Sequence, residues 1–386
     1  MKSSARLFLL LVLLTGSLLQ AETKKPVSLT SALLPFVDKN ELAGAVMLVA
    51  NKSRIITIET VGRADIAADR PMAKDDLFWI ASMTKPMTAA AFMMLVDEGK
   101  VKLGDRVTKH LPEFREQMVI AKKDDDQILL KKPKQPILIR HLLNHTSGLP
   151  FTSALEIPTL DMLRLETAVR SYAAAPLLSE PGTTYLYSNE GINTLGRIIE
   201  IISGMSYQEF MQKRLLEPLS MKDTTFFPSE EQLKRLVKTY KPKPGSKSAL
   251  EETRTGYLRF PLSDPARQPM PGGGLFSTAE DVAHFCQMIL NNGTFRGQRL
   301  LSEESVSQMI TRQTPETLKE SYGYGFTVSD HGVGHGGALS TNMTIIPSMN
   351  FISIYLVQHE GFPGQGKTAG GAFISTALNL YGPLRP

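Results

Sequence analysis

The apolar and polar positions of the chain sort into a few clear elements. Residues 44–49 and 55–61 alternate or run apolar with β-branched side chains and flank Asn51-Lys52-Ser53, which predicts a β-hairpin. A short helix is expected before it, over 29–37. Phe78-Trp79-Ile80 then leads into a stretch that is apolar on every side, with Ala89, Ala90, Ala91, Met93, Met94 and Leu95, and this predicts a buried central helix. Pro86 lacks an N–H donor and clashes with the carbonyl four residues back, so it is tolerated only in the first turn. The helix is therefore expected to start near Ser82 and to run to about Glu98, before Gly99.

Further along, 118–121 and 128–130 flank a run of mixed charge and read as a solvated hairpin. Helical patterns follow over 137–144, 160–174, 192–202 and 208–215, so 99–268 is expected to be mostly helical. After Gly272-Gly273-Gly274, the capping-box sequence Ser277-Thr278-Ala279-Glu280 opens a helix that should end at Asn292-Gly293. Strand candidates at 325–329, 339–346 and 351–357 and an amphipathic helix over 368–380 complete the chain. Strands at both ends around a helical middle imply an α+β fold. We expect one antiparallel sheet flanked by helices, built from both chain ends (26–98 and 269–386), with an inserted helical lobe (99–268).

Composition narrows the class. Residues 1–21 carry Lys2 and Arg6, an apolar block over 7–14, and then Gly16, Ser17 and Ala21, the layout of a secretory signal peptide. The protein is thus expected to be exported, periplasmic or secreted, with no stable membrane anchor once the signal is cleaved. The remaining stretch, about 365 residues, is long enough for a substantial core in domain 22–386. Its one cysteine, Cys286, cannot form an internal disulfide and lies in an apolar pattern, so a buried core thiol is expected. The net charge of +5 is spread over scattered lysines, which leaves no nucleic-acid footprint.

Candidate chemistry begins with Ser82 and Lys85, three apart and so on one face of a helix start. A serine hydroxyl is a poor nucleophile until a base takes its proton, and Lys85 can be that base only when neutral. A free lysine titrates near 10.4, so this requires a drop of about three units, or roughly 4 kcal/mol, supplied by burial and nearby positive charge. Tyr187-x-Asn189 follows in a Pro-Gly loop, with Tyr187 placed to relay a proton to the leaving group. Then comes His335-Gly336-Gly337, expected to open the strand from Leu339, with His335 facing the pocket to hold substrate or the Tyr187 hydroxyl. The two glycines would leave room for a substrate backbone beside the strand. His331 and His335 cannot share a helix across so many glycines, so no metal and no cofactor are expected. His141 and His145 read as capping or packing residues, and the triple glycine as a tight crossing between lobes. No G-x-S-x-G occurs, which disfavours an α/β-hydrolase.

The order Ser82-x-x-Lys85, Tyr187-x-Asn189, His335-x-Gly337 resembles the class C β-lactamase superfamily, comprising class C β-lactamases, DD-peptidases of the same fold and related esterases. The stretches from His141 to Leu149 and from Gly272 to Thr278 are similar to it as well. The resemblance implies an oxyanion hole formed by the backbone N–H groups of Ser82 and Ala338, with Asn189 binding the carbonyl of an acyl side chain. It implies a small-molecule ester, β-lactam or peptidoglycan-derived peptide as substrate. Class C β-lactamases carry Lys-Thr-Gly where this chain has His335-Gly336-Gly337. A largely neutral histidine gives a weaker contact to a β-lactam carboxylate. Esterase-like or D-amino-acid peptidase-like hydrolysis is therefore expected, with a true class C β-lactamase or a non-turnover peptidoglycan- or β-lactam-binding sensor as the alternatives.

Overall fold

The computed structural model describes residues 27–246 and 248–382; the expected signal segment lies outside them. The fold is α+β. Its frame consists of β1 (Gly44–Ala50), β2 (Ile55–Asp65), β3 (Arg70–Pro71), the hairpin β4 (Thr239–Pro242) and β5 (Leu250–Thr253), and then β6 (Thr327–Ser329), β7 (Gly332–Gly336), β8 (Asn342–Ile346) and β9 (Phe351–Leu356). The principal helices are α1 (Leu29–Asp38), α2 (Thr84–Asp97), α3 (Leu165–Ala174), α4 (Asn189–Ser203), α5 (Ala279–Leu290) and α6 (Ala369–Tyr381).

Seven strands form one antiparallel sheet in the order β6-β7-β8-β9-β1-β2-β3, so the two chain ends meet where β9 pairs with β1, Val46 opposite Leu356. Strand β1 is buried along its whole length because both faces of the sheet are covered. Ala45, Met47 and Val49 point to α1 and α6, in a cluster with Leu33, Phe351 and Phe373. Val46, Leu48 and Ala50 point the other way, into the main core with α2 and α5. The period of two in the sequence thus reappears as two apolar layers. Cys286 lies buried in α5 with Sγ 3.7 Å from the Met343 sulfur.

Three elements differ from expectation. Strand β7 was hidden by its glycines, and two of them, Gly332 and Gly334, have a steric reason to be there. A Cβ on Gly334 would stand 2.4 Å from the Met343 carbonyl oxygen, and Gly332 has φ +126°. His335 therefore sits inside β7, and the chain turns before β8 rather than opening a strand at Leu339. Helix α3 begins at Leu165, five residues later than its apolar pattern implied. The β4–β5 hairpin lies inside the stretch expected to be mostly helical; the Tyr240 N–H donates to the Gln358 carbonyl, which ties the hairpin to the chain beyond β9.

Candidate active site

Short hydrogen-bonded segments aim Ser82. Phe78–Trp79 pairs with Phe276–Ser277, and the Ile80 N–H donates to the Leu275 carbonyl at 3.0 Å. Ala81 then takes φ +46°, a left-handed conformation unusual for a residue with a Cβ, held by the pairing on either side. The helix expected to start near Ser82 is consequently preceded by one 3₁₀ turn, Ala81–Met83, that carries Ser82, and the α-helix begins at Thr84 with Pro86 in its first turn. The edge of the sheet is stapled to this turn. The Thr341 hydroxyl donates to the Ile80 carbonyl, Gln358 Nε2 donates to the Trp79 carbonyl, and a Cβ on Gly337 would stand 2.5 Å from the Ile80 oxygen. That close approach requires glycine, and it brings Ala338 beside the serine turn. Among the described residues the Ala338 N–H has no hydrogen-bond acceptor.

Lys85 is fully buried, and burial brings its ammonium down to about 7. Its Nζ lies 3.2 Å from Ser82 Oγ, 2.6 Å from Asn189 Oδ1 and 2.5 Å from the Gly272 carbonyl oxygen. A neutral amine has two N–H donors and one lone pair. Donating to the two carbonyl oxygens, which can only accept, leaves the lone pair for the Ser82 O–H. Asn189 Oδ1 is thus held on Lys85, and the amide NH₂ is the end left for the substrate carbonyl that the resemblance assigned to this residue.

Tyr187 stands 4.7 Å, measured to its ring centroid, from Lys85 Nζ. Burial pushes its phenol above the ordinary value, and a hydrogen bond with Ser82 pulls back only in part. Desolvation dominates, and the group is a neutral O–H. The loop carrying it is fastened from behind. Ser188 caps α4 by accepting from the Gly191 N–H, the Ser188 N–H donates to His145 Nδ1 at 3.2 Å, and the Leu186 N–H donates to the His145 carbonyl.

His335 is buried, with Nδ1 2.7 Å from the Gly336 carbonyl oxygen and Nε2 3.1 Å from the Tyr322 hydroxyl. The carbonyl fixes the proton on Nδ1, so Nε2 accepts from Tyr322. Burial first, and the nearby Lys85 charge second, hold its imidazolium down at about 3. The expectation that a ring nitrogen binds substrate or Tyr187 is therefore corrected: both nitrogens are already paired, and His335 is a neutral wall of the site. Gly336 is exposed beside it.

Sequence reasoning missed several neighbours. His145, with φ +61°, is buried between the rings of Tyr187, Tyr185 and Tyr322, at centroid distances of 4.6, 5.8 and 4.9 Å, and its Nε2 has no partner among the described residues. Burial first, and the nearby Lys85 charge second, hold it neutral. Behind Lys85 a chain of polar groups runs inward. The Gly272 N–H donates to Asn193 Oδ1 at 2.9 Å, Asn193 Nδ2 to the Tyr172 hydroxyl at 2.9 Å, and that hydroxyl to Glu156 Oε1 at 2.6 Å. Glu156 Oε2 accepts from the Ser153 N–H and the Thr152 hydroxyl. The triple glycine is explained by this chain: a Cβ on Gly272 would stand 2.8 Å from Asn189 Oδ1, so only glycine can present its carbonyl to Lys85. Nearby, Glu190 is buried with neither carboxyl oxygen paired among the described residues, and desolvation, reinforced by Glu156, raises it to about 8. His145 and Gly272 lay in stretches the sequence singled out, but their contacts here were not readable from it; for Asn193 the signal was its spacing one turn after Asn189, and Glu156, Tyr172 and Glu190 had none.

Among the described residues no group of three or more His, Cys, Asp or Glu is arranged to hold a metal ion, and no helix is long and apolar enough to cross a membrane.

The chain belongs to the Beta-lactamase family, whose model matches residues 29–373. An uncharacterized protein of Mycobacterium tuberculosis, MT1414, is 33% identical over 360 residues, covering 83% of this chain and 87% of that one. Esterase EstB from Burkholderia gladioli is 30% identical over 314 residues, 75% of each chain. Among solved structures, unliganded simvastatin synthase (LovD) from Aspergillus terreus superimposes with a TM-score of 0.76 at 19% identity, over 92% of this chain and 98% of that one, a likeness of fold. The protein is a hydrolase of the β-lactamase fold, related to esterases.

Proposed function

We propose that the protein is an exported serine hydrolase that cleaves ester or amide bonds through an acyl-enzyme on Ser82, with an esterase-like or D-amino-acid peptidase-like preference. The observation that carries the reading is the set of contacts at Lys85 Nζ, which leaves a neutral amine's lone pair for the Ser82 hydroxyl. Lys85 takes the Ser82 proton as the hydroxyl oxygen attacks the substrate carbonyl carbon. The Ser82 and Ala338 N–H groups receive the developing oxyanion. The neutral Tyr187 phenol passes a proton to the departing oxygen or nitrogen and recovers one from Lys85. Water then attacks the acyl-enzyme by the same groups in reverse. Export rests on the layout of residues 1–21.

Preference for esters over β-lactams rests on His335. A fixed cation at that position would give a substrate carboxylate a charge-assisted bond of roughly 1.5–3 kcal/mol. A histidine held at about 3 supplies none at neutral pH. Treatment with a fluorophosphonate followed by peptide mass spectrometry should place the adduct on Ser82, and p-nitrophenyl butyrate should show a higher kcat/KM than a chromogenic cephalosporin. Labelling elsewhere that survives Ser82→Ala refutes the mechanism, and a higher kcat/KM for the cephalosporin makes the protein a β-lactamase.

A further inference from the structure

A cleft of about 400 Å³ opens between the segment leading to Ser82 and the β4–β5 hairpin. Its floor is apolar: Trp79, Leu258, Leu262, Phe276 and Leu339 belong to one buried cluster. Its charged residues come from the hairpin and the chain on either side of it, and they are not balanced. Glu252 pairs with Lys238 at 2.9 Å and the neighbouring Glu251 with Lys241 at 3.2 Å, so the hairpin's two acids are both occupied by lysines. Arg254, also lining the cleft, lies with its guanidinium 5.4 Å over the Phe260 ring and has no carboxylate partner among the described residues. An apolar floor with one uncompensated guanidinium at its rim defines a ligand with an aliphatic body and one anionic end. The planar fork of arginine matches a carboxylate in two parallel hydrogen bonds. The volume falls within the range of small-molecule sites, about 300–1,000 Å³. Since a cavity of about 150 Å³ holds benzene, there is room for a chain of about ten carbons.

We propose that this cleft is a binding site for an amphipathic carboxylate, its chain lying on Trp79, Leu258 and Leu262 and its carboxylate on Arg254. Ser82, Lys85 and Tyr187 do not line the cleft, so the site stands independently of whether Ser82 is acylated. Its floor nevertheless touches the reacting centre from behind. Trp79 precedes Ser82 by three residues and donates its indole N–H to the Gly273 carbonyl at 2.7 Å, and Leu339 follows Ala338 directly.

Trp79 is the only tryptophan of the chain, so its emission reports on occupancy at the cleft floor, and the Arg254 comparison separates the cleft from the reacting centre it adjoins. Titration of the full-length Ser82→Ala protein with decanoate, below its micellar range, should give a saturable change in Trp79 emission. In the Ser82→Ala, Arg254→Ala double variant the Kd should rise at least about tenfold, the loss of one charge-assisted contact. Decanol, which has the chain without the charge, should bind the single variant no more tightly than decanoate binds the double variant. Arg254 is exposed, so its removal leaves the fold intact. The absence of a saturable change overturns the site. Equal decanoate affinity with and without Arg254, or decanol binding as tightly as decanoate, overturns the carboxylate assignment.

Discussion

The two sides of Lys85 are built on opposite principles. In front stand Ser82, Tyr187, His335 and the rings of His145 and Tyr322, where among the described residues His145 Nε2 is unpaired and the Tyr187 phenol is held neutral by burial. Behind, Gly272, Asn193, Tyr172 and Glu156 form a chain in which each group meets the next at hydrogen-bond distance. A saturated polar network in a dry interior is rigid. The unsaturated front is where protons are free to move. The comparison teaches that the position of the amine and its reactivity are supplied by different residues, so they should fail separately.

The largest effects belong to the front. Ser82→Ala and Lys85→Ala should each lower kcat by at least about 10⁴-fold toward p-nitrophenyl butyrate while the circular-dichroism spectrum stays native. Tyr187→Phe should lower kcat by about 10²–10⁴-fold with little change in KM, as expected for a proton relay. If Tyr187→Phe retains full kcat, the relay belongs to another group. Removing a link of the rear chain should act differently. Asn193→Ala strands the buried Gly272 N–H and removes one donor from the Tyr172 hydroxyl, which keeps its bond to Glu156, and should cost about 1–3 kcal/mol in urea unfolding with a smaller drop in kcat. A kcat loss matching that of Tyr187→Phe would erase the distinction between the two sides.

The pH behaviour sharpens the contrast. Activity should rise with pH through about 7 as Lys85 loses its proton, an acid limb read from kcat/KM. Glu190 gives a stability signal of its own. Its folded value of about 8 lies above its ordinary 4.5, so between those values the folded state binds the extra proton. Its contribution is complete below about 4.5 and is lost as pH rises toward 8. Glu190→Gln keeps the shape of the protonated acid and should flatten that decline in Tm while changing kcat little, the smallest functional effect in the series.

What was legible in the chain follows the same division. Ser82 and Lys85 were visible because one helical turn brings them together, and Tyr187 and Asn189 because they flank a capped helix start. Both relations are local in sequence. The sheet was legible from alternation, since β1 shows one residue to each apolar layer in turn. The rear chain was not, because Glu156, Tyr172, Asn193 and Gly272 come from four separate segments and meet only through the packing of α3 and α4. Strand β7 was masked by glycines whose purpose is close backbone approach, a feature that lowers every propensity used to find strands. The partners of His335 lie on another segment and in its own backbone, and no spacing announces them.

The meeting of β1 with β9 also sets when during synthesis the centre can exist. Val46 must wait for Leu356, and the serine turn waits with it, because Thr341 and Gln358 hold Ile80 and Trp79 from the late part of the chain. Such distant pairings carry a large loop-closure entropy and make folding slow. Until they form, β1 presents a fully apolar open edge, a template for sticking to other chains. A chain cut short before β9 would thus be inert and prone to aggregate, so the fold couples completeness of the polypeptide to assembly of its nucleophile.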